Sequence, residues 1–392
     1  MDTIIKERLQ RIMDEAVKNG ESAGCTLLIR KEDQEEVYLE SGYANVEEKI
    51  PVQRDGIYRL FSMSKPITGA AMMILVERGI VDLADPVSKY LPGFSNQMAC
   101  TKDGKTEKVW RDVTVEDLLC MTSGLTYNGE DENGRKTDAL IQQVIHGLSE
   151  KEGGTFTTVD FANELGKIPL HYQPGKSWSY GMSADVTGAV IEVASGMRFG
   201  EFLQKELFEP LGMNDTGFFV PKEKRARFAN AYECQEGKTP VLFTGIHLGI
   251  QNTMEFSPAF ESGGAGLVST IDDYAKFAQM LLNKGNFEGK QILREKTVEF
   301  FTSHVLDEAQ QKGFDDWIGL EGFTYGNLMR IMKEPGRAVT LGRKGEYGWD
   351  GWLGCYFANV PDENRTILLM TQKKDAGTFS MTRKLRNIIF SA

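Results

Sequence analysis

The segments of this chain that favour strands stand at its two ends, and those that favour helices fill its middle. That ordering limits the folds open to it. Near the start, Ile5, Leu9, Ile12, Met13 and Ala16 recur at helical spacing with charges between them. Asn19-Gly20 then supplies a helix-stopping glycine. Residues 25–30 and 36–42 read as strands around a turn at Glu32-Asp33-Gln34. In the tail, residues 340–345, 354–360 and 366–371 are strand-like, Pro361-Asp362-Glu363-Asn364 makes the turn between the last two, and 379–390 is an amphipathic helix. Between the ends, helices are predicted over 62–78, 114–121, 159–165, 183–195, 199–208 and 272–282. Residues 83–94, punctuated by Pro86 and Pro92, form a loop with short helical turns. Residues 129–157, rich in Gly, Glu, Asp and Lys, are predicted as a surface loop with one helix around 139–148, long enough to cover the mouth of a site.

The simplest fold for this order is α+β. The terminal strands join in one antiparallel sheet flanked by the terminal helices, and a helical domain is inserted between them. A chain of 392 residues is long for one core. Two packed domains are expected, residues 1–64 with 251–392 and residues 65–250, with an active site between them.

Composition narrows the function. Hydrophobic residues make up 41% and charged residues 26%, as in globular proteins. The formal net charge of -11 repels nucleic acid and anionic membranes, so neither is expected as a partner. No basic segment leads into an unbroken apolar stretch at the start, so no signal peptide is read and the expected location is cytoplasmic. No run reaches the roughly 20 apolar residues of a membrane span. The five cysteines are scattered without a C-x-x-C pair, and the four histidines lack any metal-ligand spacing. No metal and no cofactor are expected.

Two serines compete as nucleophiles. Gly20-Glu21-Ser22-Ala23-Gly24 matches G-x-S-x-G, but a nucleophile elbow needs a strand before the serine and a helix after it. Here that order is reversed, so the match is read as accidental. The second candidate is Ser62-Met63-Ser64-Lys65, the only S-x-x-K in the chain. Residues three apart share a helix face, so the Lys65 amine can reach the Ser62 hydroxyl. A helix start also leaves backbone N–H groups free to favour developing negative charge. A serine needs such a base, because its hydroxyl is a weak nucleophile until a neighbour takes its proton. About one S-x-x-K arises by chance in a chain this long, and by itself the pattern also fits a capping serine followed by a surface lysine.

The surrounding sequence adds weight. Tyr58-Arg59-Leu60-Phe61-Ser62-Met63-Ser64-Lys65-Pro66-Ile67-Thr68 resembles the nucleophile segment of class C β-lactamases, DD-peptidases and family VIII carboxylesterases. The resemblance continues in family order. It takes in Val81-Asp82-Leu83-Ala84-Asp85-Pro86, Met121-Thr122-Ser123-Gly124-Leu125, Pro210-Leu211-Gly212-Met213 and Gly263-Gly264-Ala265-Gly266-Leu267, and covers most of residues 20–375. It implies the β-lactamase/transpeptidase-like fold. It also implies that Tyr180, in Trp178-Ser179-Tyr180-Gly181-Met182, shares one proton with Lys65, takes the Ser62 proton and passes it to the leaving group. Met182 stands where β-lactamases usually have an amide-binding asparagine. Trp349-Asp350-Gly351 stands in place of their Lys-Thr-Gly, and Trp349 resembles the tryptophan of family VIII esterases. The Ser62 and Trp352 N–H groups would form the oxyanion hole, with Gly351 keeping the backbone approachable.

An apolar Trp and Met suit an uncharged substrate better than an anionic amide. The reading is therefore a serine hydrolase, a carboxylesterase acting on short-chain esters through an acyl-enzyme on Ser62. The alternative is a class C-like β-lactamase or D-amino-acid peptidase, as a main or side activity, with Lys344 or Arg343 replacing the motif lysine. A third reading, a non-catalytic binding protein on the same scaffold, is opposed by the intact Ser62, Lys65 and Tyr180.

Overall fold

The structure is a computed structural model that describes residues 1–317 and 319–392. Helix α1 (Thr3–Lys18) opens the chain, capped by Asp2, whose carboxylate accepts the Ile5 N–H. It buries Ile5, Leu9, Met13 and Ala16. Strands β1 (Gly24–Lys31), β2 (Gln34–Asn45) and β3 (Ile50–Pro51) follow. The apolar middle supplies α2 (Lys65–Glu77), α3 (Val115–Cys120), α4 (Glu132–Glu150), α5 (Thr158–Gly166), α6 (Ser183–Ser195) and α7 (Ile271–Leu282). The tail supplies β4 (Phe323–Gly326), β5 (Met329–Met332), β6 (Tyr347–Asp350), β7 (Tyr356–Val360), β8 (Arg365–Thr371) and α8 (Ser380–Phe390).

The two ends of the chain meet as expected. One eight-stranded sheet runs β4-β5-β6-β7-β8-β1-β2-β3, antiparallel throughout, and β1 joins β8 from Cys25 opposite Thr371 to Lys31 opposite Arg365. Side chains alternate across it. Leu27, Ile29, Ile367 and Leu369 face α1 and α8, while Leu28, Leu368, Met370 and Phe357 face the middle helices. This α+β arrangement is the predicted fold class.

Several sequence expectations change in detail. Residues 340–345 form no strand, and the third tail strand is β6, a few residues later. The hairpin β4–β5 was not foreseen. Its turn is Asn327-Leu328, both at positive φ (51° and 65°), the conformation usually signalled by Asn-Gly. Leu328 is held there by full burial and by an N–H donated to the Leu119 carbonyl. The segment expected to be mostly loop folds as the 19-residue α4, because the Asp131 carboxylate accepts the Asn133 and Gly134 N–H groups and nucleates it early. No helix among the described residues is long and apolar enough to cross a membrane.

The decoy serine is sealed in. Ser22 is fully buried, with its Oγ within hydrogen-bond distance of Thr371 Oγ1 and of the Gly24 carbonyl. It serves the β1–β8 junction.

Candidate active site

Helix α2 is apolar on every side, and each residue from Lys65 to Leu75 is buried. Such a helix runs through the interior and carries its first residue, Lys65, in with it. The preceding residues Phe61–Ser64 form a 3₁₀ turn, so the α-helix starts at Lys65 and not at Ser62. The correction favours the pair: in a 3₁₀ turn, residues three apart eclipse one another. Phe61 enters this turn at φ 46°, a strained value for a bulky residue. Its ring is clamped by Trp352 (centroids 5.0 Å apart) and His247 (5.7 Å).

The Lys65 amine donates to Ser62 Oγ at 3.1 Å, to the Tyr127 hydroxyl at 3.1 Å and to the Gly264 carbonyl at 2.8 Å. Burial pulls its pKa down to about 7, against the opposing pull of the Asp185 and Asp350 carboxylates. Near neutral pH a substantial fraction of the amine is therefore unprotonated and able to take a proton.

Tyr180 lies on the loop entering α6. Gly181 lets that loop press against the 125 backbone, since a Cβ there would meet the Leu125 carbonyl at 2.3 Å. The Tyr180 hydroxyl accepts from Trp349 Nε1 at 2.9 Å and lies in hydrogen-bonding reach of Ser62 and Tyr127. Burial pushes its pKa well above the usual phenol range, with the Ser62 and Trp349 hydrogen bonds pulling part of the way back. Lys65 Nζ sits over the Tyr180 ring, 4.7 Å from its centroid. Burial thus acts on the two groups in opposite senses, favouring a neutral amine on Lys65 and a protonated phenol on Tyr180.

Trp349 is buried on β6, edge-on to Tyr325 with centroids 5.1 Å apart. β6 pairs with β5 only through Tyr347 and Gly348, so its Trp349-Asp350 end is open on that side and lines a cavity. Gly351 is needed where it stands, because a Cβ would lie 2.2 Å from the Leu60 carbonyl. Trp352 stacks on His247 (3.9 Å, 13°) and donates Nε1–H to Asp375 at 2.7 Å. Burial pulls the His247 pKa down to about 4, so this imidazole is neutral. Among the described residues the backbone N–H groups of Ser62 and Trp352 have no protein acceptor.

Ser62, Tyr180, Trp349, Gly351 and Trp352 all line one cavity of about 880 Å³, with Lys65 directly behind its wall. Met182 does not join them. It is 1% exposed, precedes α6 and packs in the core. Arg343 pairs with Glu363 at 2.7 Å, and neither it nor Lys344 is on the wall. Among the described residues, 129–157 adds nothing to the lining. The wall takes Tyr127 and Asn128 just before it, and beyond them Trp317, Glu321 and Val339. Among the described residues of the wall, Glu321, Asp350 and Asp375 bring three carboxylates, against the one guanidinium of Arg383.

Sequence reasoning missed Tyr127 and Gly264. Tyr127 lies just past Ser123-Gly124-Leu125, where Gly124 turns at φ 83° and sends the following residues toward Lys65. A polar aromatic three residues after a helix-breaking Ser-Gly was the available signal.

The family model described as Beta-lactamase matches residues 9–388. The chain is 27% identical to "Esterase EstB" of Burkholderia gladioli, over 98% of this chain and 95% of that one. It is 29% identical to "Lovastatin esterase" of Penicillium rubens, over 78% of this chain and 74% of that one. The solved structure of "EstCE1, a hydrolase with promiscuous acyltransferase activity" superposes with a TM-score of 0.79 at 24% identity, covering 98% of each chain, a likeness of fold.

Proposed function

Because the chain belongs to the Beta-lactamase family, we propose that it is a serine hydrolase that cleaves short-chain carboxylic esters through an acyl-enzyme on Ser62. The observation that carries this reading is the fully buried Lys65 amine, held 3.1 Å from Ser62 Oγ with its pKa drawn down to about 7. Neutral Lys65 takes the Ser62 proton as Oγ attacks the ester carbonyl. The developing oxyanion is met by the Ser62 and Trp352 N–H groups, a preorganised pair of donors of the kind that contributes most in a dry site. As the tetrahedral intermediate collapses, the Tyr180 hydroxyl gives its proton to the departing alkoxide, and the Lys65 ammonium restores it through the Tyr127 hydroxyl, which both groups contact. Water entering where the alcohol left is activated by the same groups in reverse and frees the acid from Ser62. No step calls for a metal or cofactor.

The substrate side of the reading rests on charge. Three carboxylates against one guanidinium among the described wall residues disfavour a substrate that brings its own carboxylate. The aromatic surface of Tyr127, Trp317 and Trp349 suits an uncharged acyl or alkoxy group. The names of two relatives, Esterase EstB and lovastatin esterase, point the same way. One observation keeps the β-lactamase or D-amino-acid peptidase reading in play: Arg383 lies on the wall, where it could pair with a substrate carboxylate, although its Nη1 is occupied by the Thr378 carbonyl at 2.9 Å.

The test is turnover of a short-chain nitrophenyl ester and a chromogenic cephalosporin side by side, with Ser62→Ala as control. Ester turnover that dominates and disappears in the variant is the expected result. Dominant cephalosporin turnover would transfer the assignment to the second reading.

A further inference from the structure

The mechanism above makes no use of one buried acid. Asp185, in the first turn of α6, is 3% exposed, yet it contacts neither Ser62 nor the cavity wall. An ionisable group so far from water is costly unless its charge is used. Its Oδ1 accepts from the Ser262 hydroxyl at 2.5 Å and from the Gly264 N–H at 3.2 Å. The carbonyl of that same Gly264 receives the Lys65 amine at 2.8 Å.

The turn at 262–264 is fixed on all sides. Ala265 N–H donates to Ser262 Oγ at 3.0 Å, and Thr68 of α2 donates to the Gly263 carbonyl at 2.7 Å. The backbone passes so close to α6 that a Cβ on Gly263 would lie 2.4 Å from the Ala184 carbonyl, and one on Gly264 would lie 2.7 Å from Asp185 Oδ2. These two glycines are therefore what allow the carboxylate to reach the turn.

We propose that Asp185 is the positioning residue for Lys65. Through the 262–264 turn it fixes the carbonyl that aims the amine at Ser62, and its charge compensates the ammonium that forms when Lys65 takes the Ser62 proton. The inference rests on the proposed role of Lys65 as base and adds the group that sets where and when that base is neutral. Besides the Gly264 carbonyl, five side chains among the described residues bear on the amine: Ser62 from the 3₁₀ turn, Tyr127 from the loop after α3, Tyr180 from the loop before α6, Asp185 from α6 and Asp350 from β6. Of these, the two carboxylates favour the ammonium, and Asp185 is the larger influence. Removing its charge makes the amine lose its proton more readily. The acid limb of the pH profile, which reports protonation of Lys65, must then move to lower pH.

The experiment measures kcat and kcat/KM against pH for ester hydrolysis by the wild type, Asp185→Asn and Ser262→Ala, with folding checked by circular dichroism. For Asp185→Asn the expected result is an acid limb lower by about half a pH unit or more, together with a kcat reduced about tenfold at little change in KM. Ser262→Ala removes the hydroxyl that steadies the carboxylate, so Asp185 protonates more easily and the limb moves the same way by less. It also supplies the answer if Asp185→Asn does not fold. A folded variant with the wild-type limb overturns the proposal, whether kcat is unchanged or merely reduced, since a purely structural acid would lower kcat without moving the limb. A parallel Ser62→Ala separates the two claims. If it keeps turnover, the functional reading itself is wrong; if it is inactive while Asp185→Asn keeps the wild-type limb, only this inference falls.

Discussion

Replacing Lys65 by methionine should abolish activity and yet stabilise the protein near neutral pH. Methionine matches the unbranched shape of the buried stem without its charge. Lys65 is fully buried, and its pKa falls from an ordinary 10.5 to about 7 on folding. The sign follows from proton binding. Between pH 7 and 10.5 the unfolded chain holds a proton that the folded chain has released, so the penalty is complete below the folded pKa and is relieved as pH rises toward the unfolded one. At pH 7 this amounts to about 4 kcal/mol, and at pH 9 to about 2 kcal/mol. Against it, the variant gives up the hydrogen bonds to Ser62, Tyr127 and Gly264, each worth about 1 kcal/mol. Lys65→Met should then be about 1 kcal/mol more stable than wild type at pH 7 and about 1 kcal/mol less stable at pH 9. Urea unfolding followed by tryptophan fluorescence at the two pH values measures the difference. A stability difference that does not change with pH would refute the depressed pKa, and with it the case for Lys65 as a neutral base.

Other outcomes follow from the same contacts. In the wild type, kcat/KM for a neutral ester should rise with pH through about 7 as Lys65 loses its proton, with about a tenfold loss one unit below that midpoint; a flat profile from pH 5 to 8 would exclude Lys65 as the titrating base. Trp349→Phe keeps a ring on β6 but removes the Nε1–H that steadies Tyr180 as it gives up its proton. Its kcat should drop about tenfold with KM changed far less, and steady-state kinetics with unaltered kcat would show that this hydrogen bond is idle. Ser22→Ala should leave kcat/KM untouched and lower stability by about 1 kcal/mol, through the lost bond to the Thr371 hydroxyl; loss of turnover in a folded variant would restore the G-x-S-x-G serine as a candidate.

What the sequence made legible was whatever has a short period or a fixed spacing. α1, α6 and α7 carry their apolar residues at helical intervals, and β1, β7 and β8 each hold a short apolar run bounded by turn residues. The Ser62–Lys65 contact is a three-residue spacing, and the structure tightens it with a 3₁₀ turn. Contacts made across the fold left no such mark. Tyr127 and Gly264 reach Lys65 from loops 62 and 199 residues away in sequence, and Asp185 is hydrogen-bonded to a turn more than seventy positions later. The β4–β5 hairpin escaped notice because it turns on Asn-Leu, where packing supplies what glycine ordinarily would. The expected helix around 139–148 is the part of α4 that carries Leu140, Ile141 and Val144 on its inner face; its first turns escaped because they are polar and are started by the Asp131 cap. Met182 was given a substrate role by its place after Tyr180, but the start of α6 turns it into the core.

The central claim is that Ser62 becomes covalently acylated, and the most direct test is to trap that adduct. The protein would be treated with a fluorophosphonate, or quenched in acid during turnover of a slow ester, and then followed by intact mass and peptide mapping. One adduct per chain is expected, located on Ser62, formed more slowly in Lys65→Met and absent in Ser62→Ala. An adduct on any other serine, or full labelling of Ser62→Ala, would contradict it.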